Sequence, residues 1–231
     1  MKRYFKIAVA TVLFFVLLLQ SAILSAAAPK IIYQSASKNG RARVALTFDD
    51  GPHPRYTPRV LDILKEYGVH ATFFCVGTNV ETYPAIVKRA VAEGHEIGNH
   101  TYNHYHVAKL DDMALYEDIA ACGDAIARIT GTHPKLFRPP EGVCSEAVKS
   151  YCASEGMAIV MWSVDTRDWA HTPVPDMYQN VRKNVKNGSI ILMHDFIGKN
   201  SPTPEALRRI IPMLLELGYE FVTVSQLLAG E

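Results

Sequence analysis

Between Arg43 and Thr223 short apolar runs alternate with longer amphipathic stretches, a pattern that argues an α/β architecture with a parallel sheet. The spacing predicts strands at Arg43–Phe48, Ala71–Val76, His95–Gly98, Lys135–Arg138, Ala158–Trp162, Ser189–Met193 and Glu220–Thr223. It predicts helices at Thr57–Tyr67, Tyr83–Glu93, Asp111–Thr130, Ser145–Glu155, Pro175–Lys186 and Thr203–Leu217. Gly68, Gly94, Gly156, Gly188 and Gly218 punctuate the pattern where helices close, because glycine takes the left-handed conformation without a Cβ penalty. About seven parallel strands suit a (β/α) barrel or an open doubly wound sheet equally well, and periodicity does not choose between them.

The chain of 231 residues is 48% hydrophobic and 20% charged, a globular composition. Lys2, Arg3 and Lys6 precede an apolar run from Ile7 to Leu19, and the small residues Ser25–Ala28 follow. That is the layout of a secretory signal peptide, with cleavage expected after Ala26 or Ala27. An uncleaved membrane anchor is the alternative, since Ile7–Leu24 is nearly long enough to span a bilayer. The expected organisation is a leader at 1–27, a polar lead-in at 28–42 and one domain at 43–231. It implies an exported protein, extracellular or in the cell wall, touching a membrane only through its N-terminal segment. The 24 Lys and Arg nearly balance the 23 Asp and Glu, and three of those cations lie in the leader. No basic field remains for nucleic acid, so a neutral or mixed-charge partner fits better. Export permits disulfides, and Cys144 and Cys152 are close enough in sequence to bridge. Cys75 and Cys122 lie in apolar runs of the kind that bury free thiols, so at most one bridge is expected.

Asp49, Asp50, His100, Arg138, Asp165, Asp168 and His194 all follow the carboxyl end of a predicted strand, the edge where α/β proteins build their sites. Two adjacent carboxylates ending an apolar strand are costly unless each has a partner. Gly51-Pro52 turns the chain so that both can enter a pocket, although a turn with both acids in water has the same sequence. His100 and His104, four apart, would share one face of a helical turn, with His106 pointing elsewhere; an exposed His-rich loop is the alternative. One carboxylate with two histidines is a three-ligand set with open positions, as in catalytic metal sites. A divalent ion there would lower the pKa of water toward ~7, and the second carboxylate could take the proton. His194 reads as an acid or as a half-buried structural histidine. Trp162 and Trp169 could face sugar rings or belong to the core.

Taken in order, TFDDGP (47–52), HTYNH (100–104), RPPEG (138–142), DTRDW (165–169) and LMH (192–194) resemble the five motifs of the NodB-homology polysaccharide deacetylases, carbohydrate esterase family 4. The resemblance spans about residues 43–225 and implies a distorted (β/α) barrel of seven strands and a divalent metal, usually zinc, with cobalt as an alternative. By position it implies Asp49 as base, with Asp50, His100 and His104 as metal ligands. Arg138 would pair with the base, and Asp168, with Asp165, would orient His194 as the acid. Leu192 would line an acetyl pocket and Trp162 or Trp169 its wall. The N–H of the residue after Pro140 would help to carry the oxyanion. That residue is often aromatic in the family and is Glu141 here, which leaves substrate preference open. The implied activity is hydrolysis of N-acetyl groups on peptidoglycan N-acetylglucosamine, by a monomer. Chitooligosaccharide or xylan deacetylation would use the same apparatus, and a noncatalytic glycan-binding module is the reading from another class.

Overall fold

The longest apolar run becomes the central strand, β2 (Arg43–Asp49), buried almost throughout because a parallel sheet covered on both faces needs apolar residues at both parities. Residues 29–36 and 40–230 are described in this computed structural model, so the leader at 1–27 lies outside the described residues. The other strands are β1 (Ile31–Ile32), β3 (Thr72–Cys75), β4 (Glu96–Asn99), β5 (Leu136–Phe137), β6 (Ala158–Val160), β7 (Val164–Asp165), β8 (Ser189–His194) and β9 (Glu220–Phe221). The helices are α1 (Thr57–Tyr67), α2 (Gly77–Thr82), α3 (Pro84–Ala92), α4 (Asp112–Thr130), α5 (Glu146–Ser154), α6 (Val174–Asn184), α7 (Thr203–Glu216) and α8 (Val224–Leu228).

The strands run in the order β1-β6-β5-β4-β3-β2-β8-β7, with β9 added to β2, and every named pairing is parallel. After β1 the chain crosses to β8, where Gln34 bridges Ser189 and the Ser35 N–H donates to Gly188 C=O at 2.9 Å. The sheet therefore curls into a distorted barrel with helices around it. Helix ends follow local chemistry: the Asp111 and Ser145 side chains accept from Ala114 N–H and Val148 N–H, and Gly68 closes α1 in the left-handed conformation.

Parity along β2 and β8 places the chemistry. Val44, Leu46, Phe48, Ile191 and Met193 pack outward with α1, α6 and α7, whereas Ala45 and Ile190 belong to an interior cluster with Phe74, Leu136 and Val160. Because side chains alternate with period two, Thr47 and Asp49 share the interior face with Ala45, and Leu192 and His194 share it with Ile190. Asp49 and His194 are register partners across β2 and β8, so both reach the barrel mouth together.

The fold corrects several expectations. The lead-in supplies β1 and the bridge to β8, and β7 runs into the start of the DTRDW stretch; both strands are two residues long and too short to show a period. The final strand ends at Phe221, and Thr223 instead caps α8 in a reciprocal capping box with Gln226. Helix α2, which opens on Gly77 with no side-chain cap, was not expected. Cys144 and Cys152 do not bridge, and all four cysteines are free. Burial pushes the thiols of Cys122 and Cys152 up to about 12, so they behave as small hydrophobes.

Candidate active site

At the carboxyl ends of these strands lies a cavity of about 490 Å³ lined by Asp49, Asp50, His100, His104, Glu141, Gly142, Trp162, Asp165, Trp169, Leu192 and His194. Asp49 ends β2, and its Oδ1 accepts from Arg138 Nη1 at 2.7 Å. Arg138 is wholly buried, and its remaining donors reach Thr47 Oγ1 and the carbonyls of Val160 and Met161 at 2.8–3.0 Å. Its guanidinium lies 4.1 Å from the centroid of the Phe74 ring, so a face is covered while the edges are hydrogen-bonded. Asp50 takes a positive φ of 75°, which swings its carboxylate away from Asp49, and Asn79 Nδ2 fixes its carbonyl at 2.8 Å.

The two histidines meet without a helix. Residues 100–106 form an irregular loop with Thr101 and His104 at φ 66° and 57°, not the helical turn that their spacing suggested. Side-chain caps hold this loop: Asn99 Oδ1 accepts from Thr101 N–H at 2.9 Å, and the Asp118 carboxylate takes Tyr102 N–H and Asn103 Nδ2 at 3.0 and 2.6 Å. The result brings one donor atom each from Asp50, His100 and His104 within 4.8 Å of one another. His106, expected to point elsewhere, sits with Nε2 3.5 Å from Glu141 Oε2.

Protonation at His100 tests whether these residues fit a cation. Its Nδ1 lies 2.7 Å from Arg138 C=O, and a carbonyl only accepts, so Nδ1 carries the hydrogen. In the neutral ring, Nε2 then presents a bare lone pair 3.4 Å from Asp50 Oδ1, which is itself buried without a hydrogen bond. His104 Nε2 lies 3.1 Å from the same oxygen. Acceptors facing one another at these distances repel unless a proton or a cation lies between them. Burial alone would raise the Asp50 carboxyl, but when the imidazoles turn protonated Nε2 atoms toward it they outweigh burial and hold it well below the usual carboxylate range, so this oxygen is built to face positive charge. The set therefore fits a divalent metal.

His194 stands across the mouth from the base. Asp168 Oδ1 meets its Nδ1 at 2.8 Å, and Asp168 Oδ2 accepts from His194 N–H and Thr203 Oγ1, both at 2.7 Å. Burial opposes the imidazolium, but the Asp168 bond, with Asp168, Asp49 and Asp50 nearby, raises its pKa to about 9. Asp165 makes no such contact: its Oδ1 accepts Arg167 N–H at 2.8 Å, and it lines the cavity wall with Trp169. Pro140 is buried behind the wall, while Glu141 and Gly142 face the cavity. Glu141 adopts φ 56°, and the bonds of its turn run from Gly142 and Val143 N–H to Pro139 and Pro140 C=O without using the Glu141 N–H. A Cβ on Gly142 would fall 2.8 Å from the Trp162 ring, so glycine is needed there. Sequence reading missed Thr47, Asp118, Thr203 and Asp195; all act through other side chains, and an isolated Thr or Asp carries no pattern of its own.

Asp195 lies behind the site, its N–H donating to Asp49 C=O and its Oδ2 accepting from Thr57 Oγ1 at 2.5 Å. Burial pushes its carboxyl up to about 7 against the Thr57 bond, with Asp50 and Asp49 adding. Because the folded value exceeds the ordinary one of about 3.9, the folded state holds this proton more tightly. That stabilisation is complete below about pH 4 and is lost as pH rises through 7. In the metal-free protein, Asp195→Asn should remove that loss, so its melting temperature from pH 4 to 8 should fall less than that of the wild type. Parallel profiles would show that Asp195 does not hold the proton.

Comparison with known proteins identifies the family. A family model described as polysaccharide deacetylase matches residues 36–160. A peptidoglycan-N-acetylglucosamine deacetylase of Bacillus cereus is 45% identical over 192 residues, 82% of this chain and 90% of that protein. A crystal structure of a peptidoglycan N-acetylglucosamine deacetylase with a naphthyl N-oxidanyl-benzamide superposes with a TM-score of 0.83 at 39% identity, covering 87% of this chain and 94% of the other. A family 4 acetyl xylan esterase from Clostridium thermocellum, in complex with a cobalt ion, gives a TM-score of 0.74 at 39% identity over 80% of this chain and 90% of that one. The chain belongs to the polysaccharide deacetylase family.

Proposed function

We propose that this deacetylase removes the acetyl group from N-acetylglucosamine in peptidoglycan, outside the cytoplasm, with zinc held by Asp50, His100 and His104. The observation that carries the chemistry is the opposition of two proton-handling groups, Asp49 on Arg138 and His194 on Asp168, across one cavity beside a three-ligand set. The 45% identity to the Bacillus cereus enzyme supports the substrate. Export follows from the leader reading of residues 1–27. Among the described residues no helix is long and apolar enough to cross a membrane.

A bound divalent ion would supply Lewis-acid polarisation of the acetyl carbonyl and lower the pKa of water beside it. Asp49, fixed by Arg138, takes the proton from the attacking water. The Glu141 N–H, unused by its own turn, donates to the oxygen that gains negative charge. His194, oriented by Asp168, gives its proton to the nitrogen as the carbon–nitrogen bond breaks, releasing acetate and a free amine. Leu192 and Trp162 close the wall around the acetyl methyl, and Trp169, half exposed, offers its face to a sugar ring.

Acetate release from peptidoglycan, chitooligomers and acetylxylan, with and without a chelator, tests this reading. Peptidoglycan should react fastest, and the chelator should abolish release until Zn2+ or Co2+ is added back. Fastest release from acetylxylan would reassign the enzyme to O-deacetylation, and release indifferent to chelator would remove the metal.

A further inference from the structure

Matching the charges inside the pocket leaves two carboxylates over at its mouth. Asp49 has Arg138, His194 has Asp168, and Asp50 has two imidazoles and the cation they fit. Glu141 and Asp165 also line the cavity, and among the described residues neither forms an ion pair with a lysine or arginine. The guanidinium of Arg167, two residues after Asp165, lies instead over the Trp169 ring at 5.7 Å. Asp165 is committed to its own turn through Arg167 N–H. Glu141 is the freer group: its side chain is 59% exposed, yet its position is set. The left-handed backbone at φ 56° fixes where the side chain leaves the turn, Gly142 packs that turn on Trp162, and His106 Nε2 lies 3.5 Å from its carboxylate.

We propose that Glu141 is a specificity residue that makes the pocket mouth favour a glycan whose sugar beside the reacting one carries an ammonium, and disfavour one carrying a carboxylate. The proposal rests on the deacetylase reading of the pocket and extends it to the neighbouring sugar. A carboxylate at a half-exposed rim attracts a cation and repels an anion within a Debye length, and its exposure keeps the effect moderate. The ammonium is also the group that the reaction itself creates, so on a chitin-like strand, where reacting sugars are adjacent, a deacetylated sugar beside the pocket would favour the next event.

Three chitotetraoses that differ only at the sugar flanking the reacting one test this: N-acetyl, free amine, and N-succinyl, which adds a carboxylate. The ratio of kcat/KM values within each protein is the readout, so a change in overall turnover cancels. Wild-type enzyme should rank amine over acetyl over succinyl, each step roughly two- to fivefold, with the spread shrinking in high salt. Glu141→Gln should flatten both steps toward unity, whereas Glu141→Asp, which keeps the charge, should preserve the order. Equal ratios in wild type and Glu141→Gln, or a wild type blind to the flanking charge, would overturn the proposal. Failure of wild type to release acetate from the all-acetyl oligomer and from peptidoglycan alike would instead overturn the deacetylase reading beneath it.

Discussion

Replacing Asp49 with Asn is expected to lower kcat by roughly 10²–10⁴-fold while the protein still binds one divalent ion. Asparagine keeps the shape and can still accept from Arg138 Nη1, which donates to Asp49 Oδ1 at 2.7 Å. It cannot take a proton from water at neutral pH. The ligand set is a separate group of atoms, with Asp49 Oδ2 3.8 Å from His100 Nε2, so removing the base leaves three donors in place. Acetate release and a metal titration on the same preparation separate the two functions. A lost ion would make Asp49 a ligand, and an Asp49→Asn enzyme of near wild-type turnover would remove it from the chemistry. His194→Gln should lose turnover with the ion retained by the same reasoning, since its partner is Asp168 and not the ligand set.

The contrast between Asp49 and His104 shows what a sequence can and cannot reveal here. Strand parity is local: once β2 is recognised, Asp49 must face inward with Ala45 and Thr47, and the register with β8 sets it beside His194. The alternation therefore disclosed a parallel α/β sheet and most of its edge chemistry, whereas the barrel was implied only by the family resemblance. The loop at 100–106 follows no period. Its course depends on Asn99 and on Asp118, which comes from α4, so spacing alone suggested a helical turn that does not form. The same error hid the contact between His106 and Glu141, because a helix would have pointed them apart. Two-residue strands such as β1 and β7 were illegible for a related reason: their pairing is imposed by neighbours, not by their own pattern.

Arg138→Met should be the most damaging single substitution for stability, because it strips a buried carboxylate of its partner. Every polar bond of the guanidinium is internal: Asp49, Thr47, Val160 C=O and Met161 C=O. Burial draws the Arg138 pKa down against the pull of Asp49, yet a guanidinium stays charged in proteins, so the pair is ionic. Breaking such a pair from one side costs about 3–5 kcal/mol, or roughly 10–15 °C in melting temperature for a domain of this size. The larger part of that cost is the stranded carboxylate, not the lost attraction. Adding Asp49→Asn to Arg138→Met should then recover part of the melting temperature, since no unmatched charge remains, while activity stays absent in both proteins. The comparison is made without metal, because a cation beside Asp49 would shield the stranded charge. A double variant no more stable than Arg138→Met alone would mean that the arginine supports the barrel through its carbonyl bonds and its packing on Phe74 and Trp162, and that holding the base is incidental.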